Sequence, residues 1–448
     1  MAIRADRLAQ AKHPIWRQYL GGRSSSTIDT HLDQPSHPPQ LSPKQLPRLS
    51  QLRYLASSAS NSLPNSMLNR RRFLLLSGLA LGACSARPMP RSISRAETAT
   101  LASAPVPQRH PSYGKAVGPA ELYAPRRGDV RTVVISDLNS RYGSTDYRQE
   151  VMQGVSILPQ WQPDLVLCVG DMVAGQSKGL SRTEVEAMWQ GFDRLILQPI
   201  RQADIPFALT IGNHDASSLT YSGSYVYKTD REVTTRYWQD HQNQLDLAYV
   251  DAGNFPYYYS FKQNDIFYLV WDASSATVPA DQVVWAERQL GSEAAQSAKF
   301  RIALGHLPLY AISQGRDRNG ELLNNADTLQ ALLERHRVHT YMSGHHHAYY
   351  PGYAGNLQLL HCGALGSGPR TWLNRVDAAM QTMTVLDFFF DTGETVYTTY
   401  NMNSMALVET SSLPRQIVGP TGRVIRQDLT KADLTAAEQS QGYVPSLH

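Results

Sequence analysis

The chain has 448 residues, 42% of them apolar, enough for one large catalytic domain with extensions or for two domains. Its formal charge of +4 is mild, and no basic patch interleaved with aromatics stands out, so nucleic acid is not an expected partner. Three cysteines, with no CxxC spacing, exclude a disulfide framework.

Residues 1–66 are rich in Ser, Gln, Pro and Leu without sustained periodicity and read as an over-extended start or a disordered leader. Residues 67–84 combine Arg70-Arg71-Arg72, a short apolar run and a small-residue end, the pattern of an export signal. The run falls short of the roughly 20 residues a spanning helix needs. Arg70 to Leu74 resembles a twin-arginine motif. Leu81-Gly82-Ala83-Cys84 resembles a lipobox, so a lipid anchor at Cys84 and a periplasmic or cell-surface location are expected. Translation beginning at Met67 would explain why the signal starts there. Residues 85–125, with many Pro, Ser, Ala and Arg, read as a tether.

The globular domain is expected over 126–407. It opens with a buried-strand run at 130–136, a helix over 147–158 and a second strand at 164–169. Ser181 and Glu184 stand at capping-box spacing ahead of a helix over 181–200, and 206–211 reads as a third strand. Residues 216–256, polar and aromatic, read as a long loop, either a substrate lid or an inert insertion. Runs at 257–261 and 266–271 form a hairpin signal. Helices over 281–290 and 326–335 alternate with strands at 300–304, 339–342, 357–362 and 383–390. The extension from 408 to 448 reads as irregular, with a weak helix near 431–439.

Five strand ends gather ligand-type side chains: Asp137-Leu138-Asn139, Gly170-Asp171, Gly212-Asn213-His214-Asp215, Gly305-His306 and Gly344-His345-His346-His347. Carboxylate, amide and imidazole together are the donor set for two hard-to-borderline divalent ions. The remaining candidates have plainer readings. His241, His336, His339 and His361 are expected on the surface or satisfied in the core. Asp272 is expected as a turn residue, and Cys168 and Cys362 as buried thiols rather than a disulfide.

In this order the clusters resemble the calcineurin-like metallophosphoesterase superfamily, whose motifs run D-x-H, G-D, G-N-H-D/E, a single His and G-H-x-H. The likeness spans residues 130–400. It implies an α/β (α+β) fold, a four-layer sandwich of two mixed β-sheets flanked by helices. It also implies hydrolysis of phosphomonoesters or phosphodiesters by a water activated between two divalent ions, Mn, Fe or Zn, with Mn favoured. One ion would be held by Asp137, Asp171 and His347, with Asn139 as a further ligand. The other would be held by Asp171, Asn213, His306 and His345, so that Asp171 bridges. His214 would contact the phosphate and protonate the leaving oxygen, oriented by Asp215, while His346 would point away. Asn139 stands where most of the superfamily has His. The purple acid phosphatase branch also lacks that His but places a Tyr after the second motif. Residues 170–175 contain no Tyr, so a ferric-tyrosinate centre is not expected. The alternative is a non-catalytic phosphate- or ligand-binding surface lipoprotein on a degraded phosphatase scaffold.

Overall fold

A computed structural model describes residues 109–446. The leader over 1–66, the export signal over 67–84 with Cys84, and the tether up to residue 108 lie outside the described residues. Among the described residues no helix is long and apolar enough to cross a membrane.

Two mixed sheets face each other. The first has six strands, in the order Ala406–Leu407, Glu394–Asn401, Thr382–Phe389, Val130–Ile135, Leu165–Cys168, Phe207–Leu209. The second has nine, in the order Gln416–Gly419, Gly422–Arg426, Tyr349–Ala354, Leu357–Cys362, Thr340–Ser343, Phe300–Leu304, Ile266–Val270, Tyr258–Gln263, Tyr249–Asn254. In the first sheet Val130–Ile135, Leu165–Cys168 and Phe207–Leu209 pair in parallel and the other half is antiparallel; in the second, pairing is parallel at the centre and antiparallel towards both edges. The central strands Val130–Ile135, Leu165–Cys168 and Ile266–Val270 are buried at every position. That is why Leu165–Cys168 and Ile266–Val270 read as unbroken apolar runs rather than as alternations, while in Val130–Ile135 only Arg131 and Thr132 interrupt the run. Contacts such as Phe300 with Phe388, ring centroids 5.1 Å apart, and Tyr259 Oη donating to the Leu209 carbonyl at 2.6 Å join the two sheets across the core.

The first sheet is pinned at its antiparallel junction by a buried ion pair. Arg131 donates to both carboxylate oxygens of Asp387, at 2.9 and 3.0 Å, and to the carbonyls of Val117 and Pro125. Residues 109–125 are therefore packed, with a bridge between Ala116 and Arg126, and correct the reading of this stretch as tether. Their Pro and Ala content suggested a free chain, but their carbonyls satisfy a buried guanidinium.

Three further expectations are corrected. Residues 216–256 contain a small hairpin, the helix Lys228–His241 and the strand Tyr249–Asn254. The helical period was hidden because its buried face includes Asp230, Arg231 and Thr234. The Arg231 guanidinium lies between the rings of Tyr225 and Tyr257, 4.3 and 3.8 Å from their centroids, and donates to Asp272 at 3.0 Å. Asp272 is thus half of an ion pair. Residues 416–426 form a hairpin whose second strand pairs with Tyr349–Ala354, so part of the 408–448 extension completes the second sheet. The strands are four and five residues long, too short for a clear alternation. The helix expected over 181–200 is present from Arg182, passes through a π-helical turn at Asp193–Leu197 and runs on to Gln202. Its Ser181–Glu184 capping box is present as read.

Candidate metal centre

All five ligand clusters lie just past the carboxyl ends of parallel-paired strands, the side of an open α/β sheet where ligands bind. The strand Val130–Ile135 delivers Asp137, Leu165–Cys168 delivers Asp171, and Phe207–Leu209 leads into Asn213 and His214. From the second sheet, Phe300–Leu304 delivers His306, and Thr340–Ser343 delivers His345 and His347.

The backbone is bent hard to converge there. Asp137, Asp171, His345 and His347 have φ of 51°, 54°, 62° and 53°, left-handed conformations that side-chain-bearing residues seldom adopt. Two glycines let the segments approach each other. A Cβ on Gly212 would come within 2.2 Å of Asp171 Oδ1, and one on Gly344 within 2.6 Å of Asp137 Oδ2.

Asp137, Asp171 and His306 are buried, and each offers a ligand atom within 4.8 Å of the others. His306 Nε2 lies 3.2 Å from Asp171 Oδ2 and 3.8 Å from Asp137 Oδ1. Its Nδ1 is held by the Val169 carbonyl at 2.8 Å. His347 Nε2 lies 3.1 Å from Asp137 Oδ1, and its Nδ1 is 2.8 Å from the Gly368 carbonyl. Asn213 Oδ1 sits 3.1 Å from His306 Nε2 and 2.8 Å from His345 Nδ1. Its Nδ2 donates to Gln176 at 2.7 Å, which fixes the oxygen towards the two rings. Asp171 Oδ1 accepts the His214 backbone N–H at 2.8 Å. Asp171 Oδ2 is buried with no hydrogen-bond partner; His306 is close enough to attract it but not aligned to donate.

The charge distribution follows. Burial opposes ionisation of both aspartates, but His347 holds Asp137 below its ordinary range and His306 holds Asp171 well below it. Burial likewise opposes a charge on His306, yet Asp171 pushes it up to about 9. This cluster is built to attract a cation.

The expected contact between Asp215 and the His214 ring is not formed. The Asp215 carboxylate accepts the backbone N–H groups of Met172, Val173 and Gly212 at 2.7, 3.0 and 2.8 Å. It ties the second motif loop to the third and makes no hydrogen bond to the His214 ring. Burial and the nearby Asp171 charge raise it to about 7. The His214 ring is held instead by the Gly175 carbonyl, 3.1 Å from Nδ1, and packs 5.4 Å from the Tyr142 ring. Adjacency in sequence misled here, because the turn after Gly212 sends neighbouring side chains in different directions. Asn139 is beside the centre, its backbone N–H on the Asp171 carbonyl at 3.1 Å. Among the described residues its amide makes no hydrogen bond to the other ligand-type groups.

His346 is turned into the core, where Nδ1 accepts from Ile312 N at 3.2 Å and Nε2 lies 3.1 Å from the Glu321 carbonyl. His361 is buried against the Tyr310 carbonyl, and Cys168 and Cys362 are free, buried thiols. Sequence reading missed Glu321 and Arg316. The Glu321 carboxylate lies 2.8 Å from His345 Nε2 and accepts from Arg316. Burial opposes its charge, but these two partners hold it well below the usual carboxylate range. The only signal was a charged, glycine-flanked loop, residues 315–321, between two motif histidines.

Two mixed sheets carrying a buried carboxylate–imidazole cluster at their strand ends define an α/β protein with a candidate metal centre. Residues 130–349 match the family described as calcineurin-like phosphoesterase, and this part of the chain belongs to that superfamily. There is distant similarity to purple acid phosphatases. Probable purple acid phosphatase 20 of Arabidopsis thaliana is 21% identical over 226 residues, which make up 50% of this chain. The match spans about half, 47%, of that relative's length. Among solved structures, purple acid phosphatase PPD1 from yellow lupin (Lupinus luteus) aligns over 62% of this chain and 52% of its own, with 16% identity and a TM-score of 0.44. A dimetal phosphatase from Danio rerio aligns over 58% and 93%, with 12% identity and a TM-score of 0.41.

Proposed function

We propose that this protein hydrolyses phosphomonoesters or phosphodiesters with two divalent metal ions. The observation that carries the reading is Asp171 Oδ2, a buried carboxylate oxygen without a hydrogen-bond partner, set between Asp137 and His306. Its nearest partner, His306 Nε2 at 3.2 Å, is not aligned to donate, so the oxygen keeps a free lone pair that a cation would complete.

The residues fit two ions. Asp137, His347 and Asp171 would hold one, with Asn139 as its further ligand; Asn213, His306, His345 and Asp171 would hold the other. Oxygen and neutral imidazole donors admit Mn, Fe or Zn, and the carboxylate-rich first set favours Mn. Bound there, two such ions supply Lewis acidity, lowering the pKa of water and neutralising charge on a phosphoryl oxygen. The chain's own contribution is to orient and protonate. Gln176 aims the Asn213 oxygen, Val169 and Gly368 carbonyls fix the rings of His306 and His347, and Asp215 braces the two motif loops. His214, anchored by Nδ1–H on the Gly175 carbonyl, would as an imidazolium give its Nε2 proton to the leaving oxygen. Export and a lipid anchor at Cys84 belong to the same proposal and rest on residues 67–84 alone.

A non-catalytic ligand-binding role is favoured only by Asn139, a weaker donor than the imidazole most relatives carry. One assay separates the two readings. With added Mn²⁺ the protein should turn over p-nitrophenyl phosphate or bis-p-nitrophenyl phosphate, and a chelator should abolish it. Mn²⁺ binding without turnover of either ester would favour the non-catalytic role.

A further inference from the structure

His345 has two neighbours that make opposite demands on one nitrogen. Glu321 Oε2, an acceptor, lies 2.8 Å from Nε2. Arg316 Nη1, a donor, lies 3.3 Å from the same Nε2. The carboxylate asks for a proton on Nε2; the guanidinium asks for a lone pair there. A neutral imidazole carries one proton, so the choice at Nε2 decides what Nδ1 presents. Nδ1 faces Asn213 Oδ1 at 2.8 Å; that oxygen accepts from an Nδ1–H while no ion is present and would ligate a cation together with the Nδ1 lone pair, so it sides with Arg316 until an ion arrives.

We propose that Glu321 is a positioning residue that fixes the metal-binding tautomer of His345 against the competing pull of Arg316. The inference rests on the metal-centre reading above and goes beyond it by assigning a residue outside the five motifs. Glu321 wins the competition because its contact is shorter and pairs a full negative charge with an N–H. With Nε2 protonated, Nδ1 keeps its lone pair for a cation. Without Glu321, Arg316 would donate to Nε2 and drive the proton onto Nδ1, facing any incoming ion.

The loop is built to hold Glu321 in place. Arg316 and Arg318 both contact its carboxylate, and its carbonyl faces His346 Nε2 at 3.1 Å. Asp317, between the arginines, accepts from Ser446 N at 2.8 Å and Tyr443 Oη at 2.9 Å, so the C-terminal segment braces the loop.

The test is calorimetric titration of the metal-stripped full chain with MnCl₂, alongside circular dichroism to confirm folding. Glu321→Ala should weaken one of the two binding steps by about 10- to 100-fold, the range for losing such an orienting partner. Glu321→Gln, whose amide oxygen still accepts from Nε2, should lose less. Adding Arg316→Met to Glu321→Ala should restore much of the affinity, because no donor then remains to select the wrong tautomer. Equal Mn²⁺ affinity in wild type and in both Glu321 variants would overturn the assignment. So would a double variant no tighter than Glu321→Ala. If the wild type itself takes up no Mn²⁺, the metal-centre reading fails and this proposal falls with it.

Discussion

His214 is the residue at which binding and turnover should separate. Its ring nitrogen Nδ1 is 3.1 Å from a backbone carbonyl, and its ring is not among the groups that converge on Asp171. His214→Gln should therefore lower kcat by on the order of 10²–10⁴, as for other general acids, while leaving metal content near normal. The loss should shrink for esters with good leaving groups, which need little protonation. Metal analysis of the variant checks the assignment, because a parallel loss of metal would make His214 a ligand. Asn139 poses the complementary question. If its amide joins the first ion, Asn139→His should tighten the weaker Mn²⁺ step and Asn139→Ala should loosen it, with little change in fold. A weak step that neither substitution moves in calorimetry would remove Asn139 from the ligand set.

At the scale of elements, the site depends on strands that end where they do and on helices that keep them there. The Arg182–Phe192 helix packs against Lys228–His241, where Trp189 Nε1 donates to Thr234 at 3.2 Å. Thr234 in turn donates to the Asp215 carbonyl at 2.9 Å, so this helix pair leads directly to the third motif. The first helix is started by a reciprocal cap: Ser181 accepts from Glu184 N, and the Glu184 carboxylate accepts from Ser181 N at 2.8 Å. Ser181→Ala should cost about 1 kcal/mol of stability, the usual price of such a cap. Chemical denaturation should register that loss while activity at saturating metal stays unchanged. A loss of activity without a loss of stability would mean the cap serves the site in another way.

At the scale of the whole molecule, buried histidines set how stability responds to acid. Burial lowers His339 and His361 from 6.5 to about 4 each. Between those values the unfolded chain binds more protons than the folded one, so stability rises with pH across the window. Their contribution is fully present above about pH 6.5 and is lost as pH falls towards 4, each adding a slope of up to about 1.4 kcal/mol per pH unit. Urea unfolding at several pH values should show this slope, and His339→Gln or His361→Gln should flatten it. An unchanged slope in both variants would place the acid sensitivity elsewhere.

The chain's order of ligand clusters, the central strands and the Ser181 cap were legible in the sequence, because each depends on neighbours in the chain. An unbroken apolar run ending in Gly-Asp or Gly-Asn-His reports a buried strand and the turn after it whatever surrounds them. The structure alone decided what depends on distant partners. Asp215 braces backbone from two motifs instead of orienting His214, a matter of which way a tight turn sends each side chain. The helix Lys228–His241 buries Arg231 because Tyr225, Tyr257 and Asp272 receive it, and no local period announces such a face. The hairpin at 416–426 joins the second sheet because Tyr349–Ala354 offers it an edge to pair with. Glu321 reaches His345 across 24 residues, a closeness that only the tertiary fold creates.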